Sequence, residues 1–375
     1  MQYTLSCIAY YCDPLSEVVQ PGPRNVIRIT TVVSIMKAAT YERTGASAVL
    51  EIRDLPVAEP GDNEVRVRIV VSGVNPTDWK ARANSSRDLA EPHVPNQDGA
   101  GVIDAVGAGV TNFSVGDRVW VWDAAWQRTH GTAAELVTLP TRQVEPLPVD
   151  ASFNLGASLG IPALTAHRAL TANEHGPARL APGALDGQTV LVTGGAGAVS
   201  HAAIQLARWA GATVITTVSG NGKGDLATAA GAHHVINYRD DDVAAAVLAL
   251  APDGVDTIVD VNATANIDTD LAVLKFGGTV AVYASDSDAP LAIPTGAAMR
   301  KNARVQFILT YTVTDGQKDD AVAAVSAAVA DGALPVGAEH GLPLTRFTLD
   351  ETAAAHDAVE AGTVGKVLID VAPAD

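Results

Sequence analysis

The pattern of hydrophobic and polar positions changes its period twice along the chain. From residue 36 to about 155, short runs rich in Val and Ile are separated by Gly, Asn, Asp and Pro, which is typical of a small antiparallel barrel. From 156 to 311, strand-like runs alternate with helical ones. Two helical runs and a strand-like run, Lys366–Val371, follow Tyr311. This last part is too short for a third core, so we expect it to return to the first domain.

The middle region predicts a doubly wound parallel sheet, because strands joined by short helical crossovers pair in parallel. The predicted strands are 189–193, 213–218, 234–237, 256–261, 279–284 and 305–310. The predicted helices are 199–210, 223–230, 241–250 and 267–275.

A glycine-rich turn joins the first of these strands to the first helix, within Thr189–Ala212. Strand, glycine turn and helix together can hold a dinucleotide pyrophosphate on the free N–H groups of a helix N-terminus. An ordinary strand–helix turn has the same local pattern, with Ser200 in place of the usual third glycine. The predicted backbone contacts are Gly194, Gly195, Gly197, Ala198 and Val199. We expect Gly195→Val to lower cofactor affinity without unfolding the protein.

Composition narrows the possible partners. The formal charge is −17 and no basic stripe stands out, which disfavours nucleic acid and anionic membrane surfaces. The two cysteines, Cys7 and Cys12, allow no disulfide framework and favour a reducing cytoplasm. No apolar run reaches membrane-spanning length. Residues 1–35 hold no regular period and predict a loosely ordered or extraneous arm before Met36, although Asn25–Ile35 also has strand composition.

Six ordered signatures carry a resemblance to a known family. They are Gly73-Val74-Asn75-Pro76, Asp98-Gly99-Ala100-Gly101-Val102, Ala105-Val106-Gly107, Val115-Gly116-Asp117-Arg118-Val119, Ala163-Leu164-Thr165-Ala166 and Gly365-Lys366-Val367-Leu368. In this order they resemble the medium-chain dehydrogenase/reductase superfamily, in its zinc-free quinone oxidoreductase (zeta-crystallin-like) branch. The resemblance implies a mostly-β, GroES-like catalytic domain at 36–155 plus 312–375. It also implies an inserted Rossmann domain at 156–311, a cofactor cleft between the two, and a homodimer.

The resemblance also bears on metal binding. Zinc-containing relatives place a Cys near Asn75 and a Gly-His-Glu near 96–98, where this chain has Asn-Gln-Asp. An Asn is a poor zinc ligand, and both cysteines lie outside the matching region. We therefore expect no metal.

The loop after the second Rossmann strand predicts the cofactor. An NAD site usually carries an acid about twenty residues after its first glycine, but no Asp or Glu occurs between Gly194 and Asp225. Ser219 and Lys223 stand there instead, and both can bind a 2′-phosphate, so NADP(H) is the predicted cofactor. Similar reductases add a tyrosine that matches Tyr238. The signatures and strand ends add Tyr283 and Lys366 as cofactor contacts.

The resemblance places Asn75 and Thr165 near the nicotinamide. Some relatives have a tyrosine where this chain has Lys80, whose ammonium is either a cation for a developing oxyanion or a solvent-facing charge. Four tryptophans either wall an aromatic pocket or pack against strands; they are Trp79, Trp120, Trp122 and Trp126.

The predicted function is reduction of a quinone or an α,β-unsaturated carbonyl by NADPH. An enoyl-thioester or alkenal reductase has almost the same chemistry and stays open as an alternative. A non-catalytic NADPH-binding protein is the alternative from another functional class.

Overall fold

The computed structural model describes residues 34–285 and 289–373. From Ile35 onward the chain packs as one compact unit. The predicted arm 1–35 and the alternative strand Asn25–Ile35 lie almost entirely outside the described residues, although Ile35 itself begins the first strand. Among the described residues, no helix combines the length and apolarity needed to cross a membrane.

The strands are numbered in chain order. They are β1 (Ile35–Arg43), β2 (Glu51–Pro56), β3 (Glu64–Val74), β4 (Asp88–His93), β5 (Asp98–Val106), β6 (Arg118–Val121), β7 (Leu136–Pro140), β8 (Val144–Pro146), β9 (Thr189–Val192), β10 (Thr213–Val218), β11 (His234–Asn237), β12 (Val255–Asp260), β13 (Leu274–Val282), β14 (Arg304–Phe307), β15 (Leu344–Thr348) and β16 (Lys366–Asp370).

The helices are numbered in the same way. They are α1 (Pro76–Ala83), α2 (Phe153–Gly156), α3 (Gly160–Leu170), α4 (Ala198–Trp209), α5 (Asn221–Ala229), α6 (Val243–Leu250), α7 (Ala263–Val273), α8 (Thr295–Lys301), α9 (Asp315–Ala330) and α10 (Thr352–Glu360).

Strands β9 to β14 form one parallel sheet in the order β11-β10-β9-β12-β13-β14. The chain starts at the centre, winds to one edge, and then returns to wind to the other. The carboxyl ends of β9 and β12 therefore meet at the point where the order reverses, which is where such sheets bind ligands. The predicted doubly wound parallel sheet is confirmed.

The remaining strands form the mostly-β part. Seven of them make a sheet in the order β15-β16-β3-β5-β6-β8, with β7 also paired to β3. Strands β1, β2 and β4 form a separate three-stranded sheet. Strand β16 pairs antiparallel with β3, so the last part of the chain returns to the first sheet. The GroES-like and Rossmann fold class is thus confirmed, and we propose domain limits at 36–155 plus 312–375 and at 156–311.

Candidate active site

The glycine turn lies between the carboxyl end of β9 and the first turn of α4. Gly194 has a φ of +66°, a left-handed conformation that side chains rarely adopt. Gly197 is the N-cap of α4 and is exposed, so the first N–H groups of that helix face the open end of the sheet. Gly197 also forms an isolated parallel bridge with Gly365, which joins the turn to the residue before β16.

Gly195 is required by the packing behind the turn, so the expectation that Gly195→Val leaves the fold intact is wrong. A Cβ at this position would lie 2.3 Å from Thr216 Oγ1 and 3.2 Å from the Cβ of Ala227. The side chain would therefore point into the packing between β10 and α5, away from the open face of the turn. A Cβ on Gly197 meets only ordinary contacts, the nearest at 3.5 Å from the carbonyl oxygen of Gly194.

A mostly apolar cleft of about 510 Å³ opens beside the first turn of α4. It brings together four residues that the sequence predicts for the site: Lys80, Thr165, Val199 and Tyr283. No carboxylate, imidazole or thiol lines this cleft among the described residues. The cleft can therefore hold an apolar ring beside the helix N-terminus, and its titratable side chains are Lys80, Tyr283 and Tyr311.

Two tyrosines line the cleft. The hydroxyl of Tyr283 lies 3.1 Å from Ser200 Oγ, and Ser200 Oγ in turn donates to the carbonyl oxygen of Thr193 at 2.9 Å. The serine at the third glycine position thus anchors Tyr283. The Tyr311 hydroxyl donates to Thr77 Oγ1 at 3.2 Å, and burial raises the pKa of Tyr311, which keeps it neutral.

Beneath the start of α1, a buried polar network holds Asn75. Lys366 Nζ donates to Asn75 Oδ1 at 2.6 Å, and Asn75 Nδ2 donates to Asp98 Oδ2 at 2.7 Å. Lys366 Nζ also lies 3.4 Å from the same Asp98 oxygen. Asp98 Oδ1 accepts the N–H of Ile161, and Asp78 Oδ2 accepts the N–H of Asn75. The side-chain amide of Asn75 is therefore held in one orientation by groups from two separate segments, and Asp78 holds its backbone N–H.

Burial dominates the protonation of this network. It raises the pKa of Asp98 and lowers the pKa of Lys366, while the attraction between the two opposes both shifts. Burial, together with the charge of Asp98, raises the pKa of Asp78 to about 8. The ammonium of Lys366 is fully buried and occupied, so any effect of Lys366 on a cofactor must pass through Asn75 or through the backbone of Gly365.

The side chains at the positions that match zinc ligands are already engaged by protein groups. Asn75 and Asp98 are occupied by the Lys366 ammonium, a cation that would repel a metal ion, and Gln97 Oε1 accepts the N–H of Ala125. Across the described ranges, no cluster of three His, Cys, Asp or Glu side chains could hold a metal. The donor set therefore does not fit zinc.

The remaining predicted cofactor residues lie further along the sheet edge. Ser219 follows β10 and Lys223 lies exposed in the first turn of α5. Tyr238 follows β11, is half exposed, and lines a pocket of about 410 Å³ together with Gly194 and Thr217. This pocket lies at the carboxyl ends of β9, β10 and β12, on the far side of the glycine turn from the apolar cleft.

Sequence reasoning missed a second buried ion pair. Lys318 Nζ donates to Asp123 Oδ2 at 2.7 Å and to Thr310 Oγ1 at 3.2 Å. These bonds tie α9 to the two loops that carry Trp126 and Tyr311, whose rings stack with centroids 4.3 Å apart. No local pattern signals the pair, because its partners are 195 residues apart.

Some of the four tryptophans pack against strands and others line a pocket, the two roles that the sequence left open. Trp120 and Trp122 are buried in the core, and Trp126 lines a pocket beside α1. Trp79 lies next to Lys80, whose Nζ is 5.8 Å from the ring centre.

Two family models match the chain. The alcohol dehydrogenase GroES-like domain matches residues 61–149, and the zinc-binding dehydrogenase model matches residues 198–339. The quinone oxidoreductase of Lama guanicoe is 30% identical over 341 residues, covering 89% of this chain and 97% of its own.

Solved structures show the same relationship. A quinone oxidoreductase from Pseudomonas syringae is 27% identical with a TM-score of 0.74, covering 89% of this chain and 99% of its own. The mycobacterial protein Rv1454c, solved in complex with NADPH, is 30% identical with a TM-score of 0.73 and the same coverage. Sequence and fold agree, and the chain belongs to the quinone oxidoreductase family of the medium-chain dehydrogenase/reductase superfamily.

Proposed function

We propose that this chain reduces a quinone or an α,β-unsaturated carbonyl compound with NADPH, without zinc. The observation that carries the proposal is the mostly apolar cleft beside the N-terminus of α4, which Thr165, Val199 and Tyr283 line together. Hydride transfer requires positioning and exclusion of water more than acid–base groups.

Bound NADPH would supply a hydride, which forms the new C–H bond at the β-carbon of an enone while the alkene π electrons move to the carbonyl oxygen. A proton from solvent then reaches the α-carbon. In this reaction Thr165, Val199 and Tyr283 shape the wall around the reacting rings. Asn75, held by Lys366 and Asp98, is buried next to Pro76, which lines the cleft, and does not itself line it. Lys80 is the exposed cation at the mouth of the cleft.

The glycine turn fits a dinucleotide. A Cβ on Gly197 would meet only ordinary contacts, and Gly197 is the exposed N-cap of α4, where a pyrophosphate needs close approach. Gly194 precedes the N-cap, and Ala198 and Val199 form the first turn of α4. Gly195 packs against Thr216 and Ala227 on the side away from the proposed phosphate. Tyr238 and the pocket of about 410 Å³ are available to the adenosine half of the cofactor.

We expect NADPH to be preferred over NADH by at least about tenfold in kcat/KM, because Ser219 and Lys223 offer a hydroxyl and a cation to the 2′-phosphate. Lys223→Ala is expected to remove most of that preference through KM with little change in kcat, since the phosphate contact is equal in ground and transition states. Steady-state kinetics with both cofactors measures this. Equal use of the two cofactors by the unmodified protein would contradict the assignment of the loop.

Zinc independence has its own test. Because Lys366 occupies the donor atoms of Asn75 and Asp98, we expect chelators to leave turnover unchanged. Elemental analysis is expected to find less than one zinc per chain. Stoichiometric zinc whose removal abolishes turnover would show that this part of the proposal is wrong.

A substrate panel distinguishes the alternatives. NADPH oxidation is followed with a naphthoquinone, an uncharged enone and a crotonyl thioester. Fast turnover of the thioester alone favours the enoyl-thioester reductase. Tight NADPH binding with no turnover of any member of the panel favours the non-catalytic binding protein.

The homodimer is also a proposal, and the exposed edge of the Rossmann sheet supports it. Strand β14 pairs only with β13 in the described part of the sheet. Phe307 on this strand is 61% exposed, and nearby Leu309 is 53% exposed. A second copy of the chain would cover both.

The cytoplasmic location stays a prediction.

A further inference from the structure

A second cavity of about 440 Å³ lies on the catalytic domain, on the other side of α1 from the cleft. We name it the arginine pocket after Arg87 and Arg128, which line it together with Tyr41, His93 and Trp126. Side chains able to donate hydrogen bonds, such as Gln97, also face it.

The charges of this pocket are unusual for a chain with a formal charge of −17. Among the described residues, no carboxylate forms an ion pair with Arg87 or Arg128. Arg128 Nη2 donates to the carbonyl oxygen of Thr138 at 2.5 Å, which holds the half-buried guanidinium in place. An unpaired, partly desolvated guanidinium is costly in isolation and is a strong partner for an anion.

The acidic groups nearby do not cancel this charge. Asp78 is the carboxyl group that lines the pocket, and burial raises its pKa to about 8, so it is mostly protonated at neutral pH. The charge of Glu91 raises the pKa of His93 and of His130, but Glu91 does not line the arginine pocket. Burial lowers the pKa of both histidines, so they add no charge at neutral pH.

Helix α1 connects the arginine pocket to the cleft. Thr77 and Ala81 line both cavities, while Lys80 faces only the cleft. The stacked rings of Trp126 and Tyr311 separate the two cavities, since Trp126 lines one and Tyr311 the other. Because Thr77 and Ala81 border both cavities, a ligand that extended past this stack would reach from one cavity to the other.

We propose that the arginine pocket binds the carboxylate end of the substrate, while the electron-poor alkene lies in the apolar cleft. The substrate class is therefore an enone that carries an acidic group at the far end of an alkyl chain. This proposal rests on the proposed function, which supplies the hydride transfer. The arginines contribute binding at a distance from the reacting atoms and take no part in the chemical step.

The test uses a series of 3-alken-2-ones with a terminal carboxylate, at several chain lengths, and their methyl esters. We expect kcat/KM for the best acid to exceed that of its ester by at least about tenfold, since a charge-assisted contact is lost in the ester. Arg87→Gln and Arg128→Gln are expected to lower this acid-to-ester ratio toward one. Arg300→Gln, at an exposed arginine of α8, is the matched control and is expected to keep the ratio.

The controls separate the two proposals. Turnover of the esters tests the proposed function, and the acid-to-ester ratio tests the pocket. Calorimetry with the saturated acids, which contain no alkene, measures pocket binding even if nothing is reduced. We expect either arginine variant to weaken this binding at least about tenfold. Three results would overturn the proposal. The first is an acid-to-ester ratio of one in the unmodified protein while the esters are turned over. The others are a ratio that falls in Lys80→Gln but not in the arginine variants, and calorimetric binding of the saturated acids that is unchanged in both arginine variants.

Discussion

Lys366→Met is expected to lower the free energy of unfolding by about 3–5 kcal/mol, because it leaves Asp98 buried without its cation. The variant also removes the donor that holds Asn75 Oδ1, so turnover is expected to fall together with stability. Chemical denaturation followed by circular dichroism measures the first effect, and steady-state kinetics at saturating cofactor measures the second.

The pH dependence of the stability loss identifies its cause. Burial already raises the pKa of Asp98 above its unfolded value, and without Lys366 that pKa rises further. A carboxyl group whose folded-state pKa is raised loses stability as the pH rises from the unfolded pKa through the folded one. The deficit of Lys366→Met is therefore expected to be larger at about pH 8 than at about pH 5.5.

A double variant provides the control. Asp98→Asn combined with Lys366→Met removes both charges and is expected to recover a large part of the lost stability. A deficit that is equal at both pH values and unchanged in the double variant would show that Lys366 contributes packing alone.

Gly195→Ala is expected to lower stability and Gly197→Ala to lower NADPH affinity, although the two glycines are only two residues apart. At position 195 the new methyl group would lie 2.3 Å from Thr216 Oγ1, a hydroxyl held by its bond to the carbonyl oxygen of Val192. Overpacking of this kind costs about 1–3 kcal/mol or more, so the melting temperature is expected to fall by several degrees.

At position 197 the methyl group meets no close neighbour, so stability is expected to change little. In the proposed cofactor site it lies at the N-cap of α4, where the pyrophosphate would approach, so NADPH affinity is expected to fall at least about tenfold. Thermal unfolding without cofactor and titration with NADPH separate the two effects. Equal NADPH affinity in Gly197→Ala and the unmodified protein would contradict the placement of the phosphate.

The parallel sheet was predictable because its signals are local. The glycine turn follows a β-branched run, and each later strand is separated from its neighbour by a helical period. Strand β13 begins five residues earlier than predicted, at Leu274, since Gly277 and Gly278 lie inside the strand instead of before it. Leu274 pairs with Val255 of β12, the register then shifts across the two glycines, and regular pairing resumes at Thr279 opposite Thr257. The strand thus continues through an irregularity that no local pattern reports.

The site was predictable only in part, because its main contacts join distant segments. The sequence pointed to Asn75 and Lys366 separately, but their hydrogen bond spans 291 residues. The direction of the Gly195 Cβ depends on how β10 and α5 pack, which no local pattern reports. The arginine pocket likewise forms where β4, α1 and the loop at Trp126 meet.

Hydride transfer from NADPH is tested most directly by deuterium at the two C4 positions of its nicotinamide, one at a time. With an uncharged enone as acceptor, we expect one labelled form alone to slow turnover and to deliver its deuterium to the β-carbon of the product. The other form is expected to react at the unlabelled rate and to yield unlabelled product. The proposed function would be contradicted if NADPH bound but neither labelled form transferred deuterium to the enone and neither slowed the reduction of a quinone.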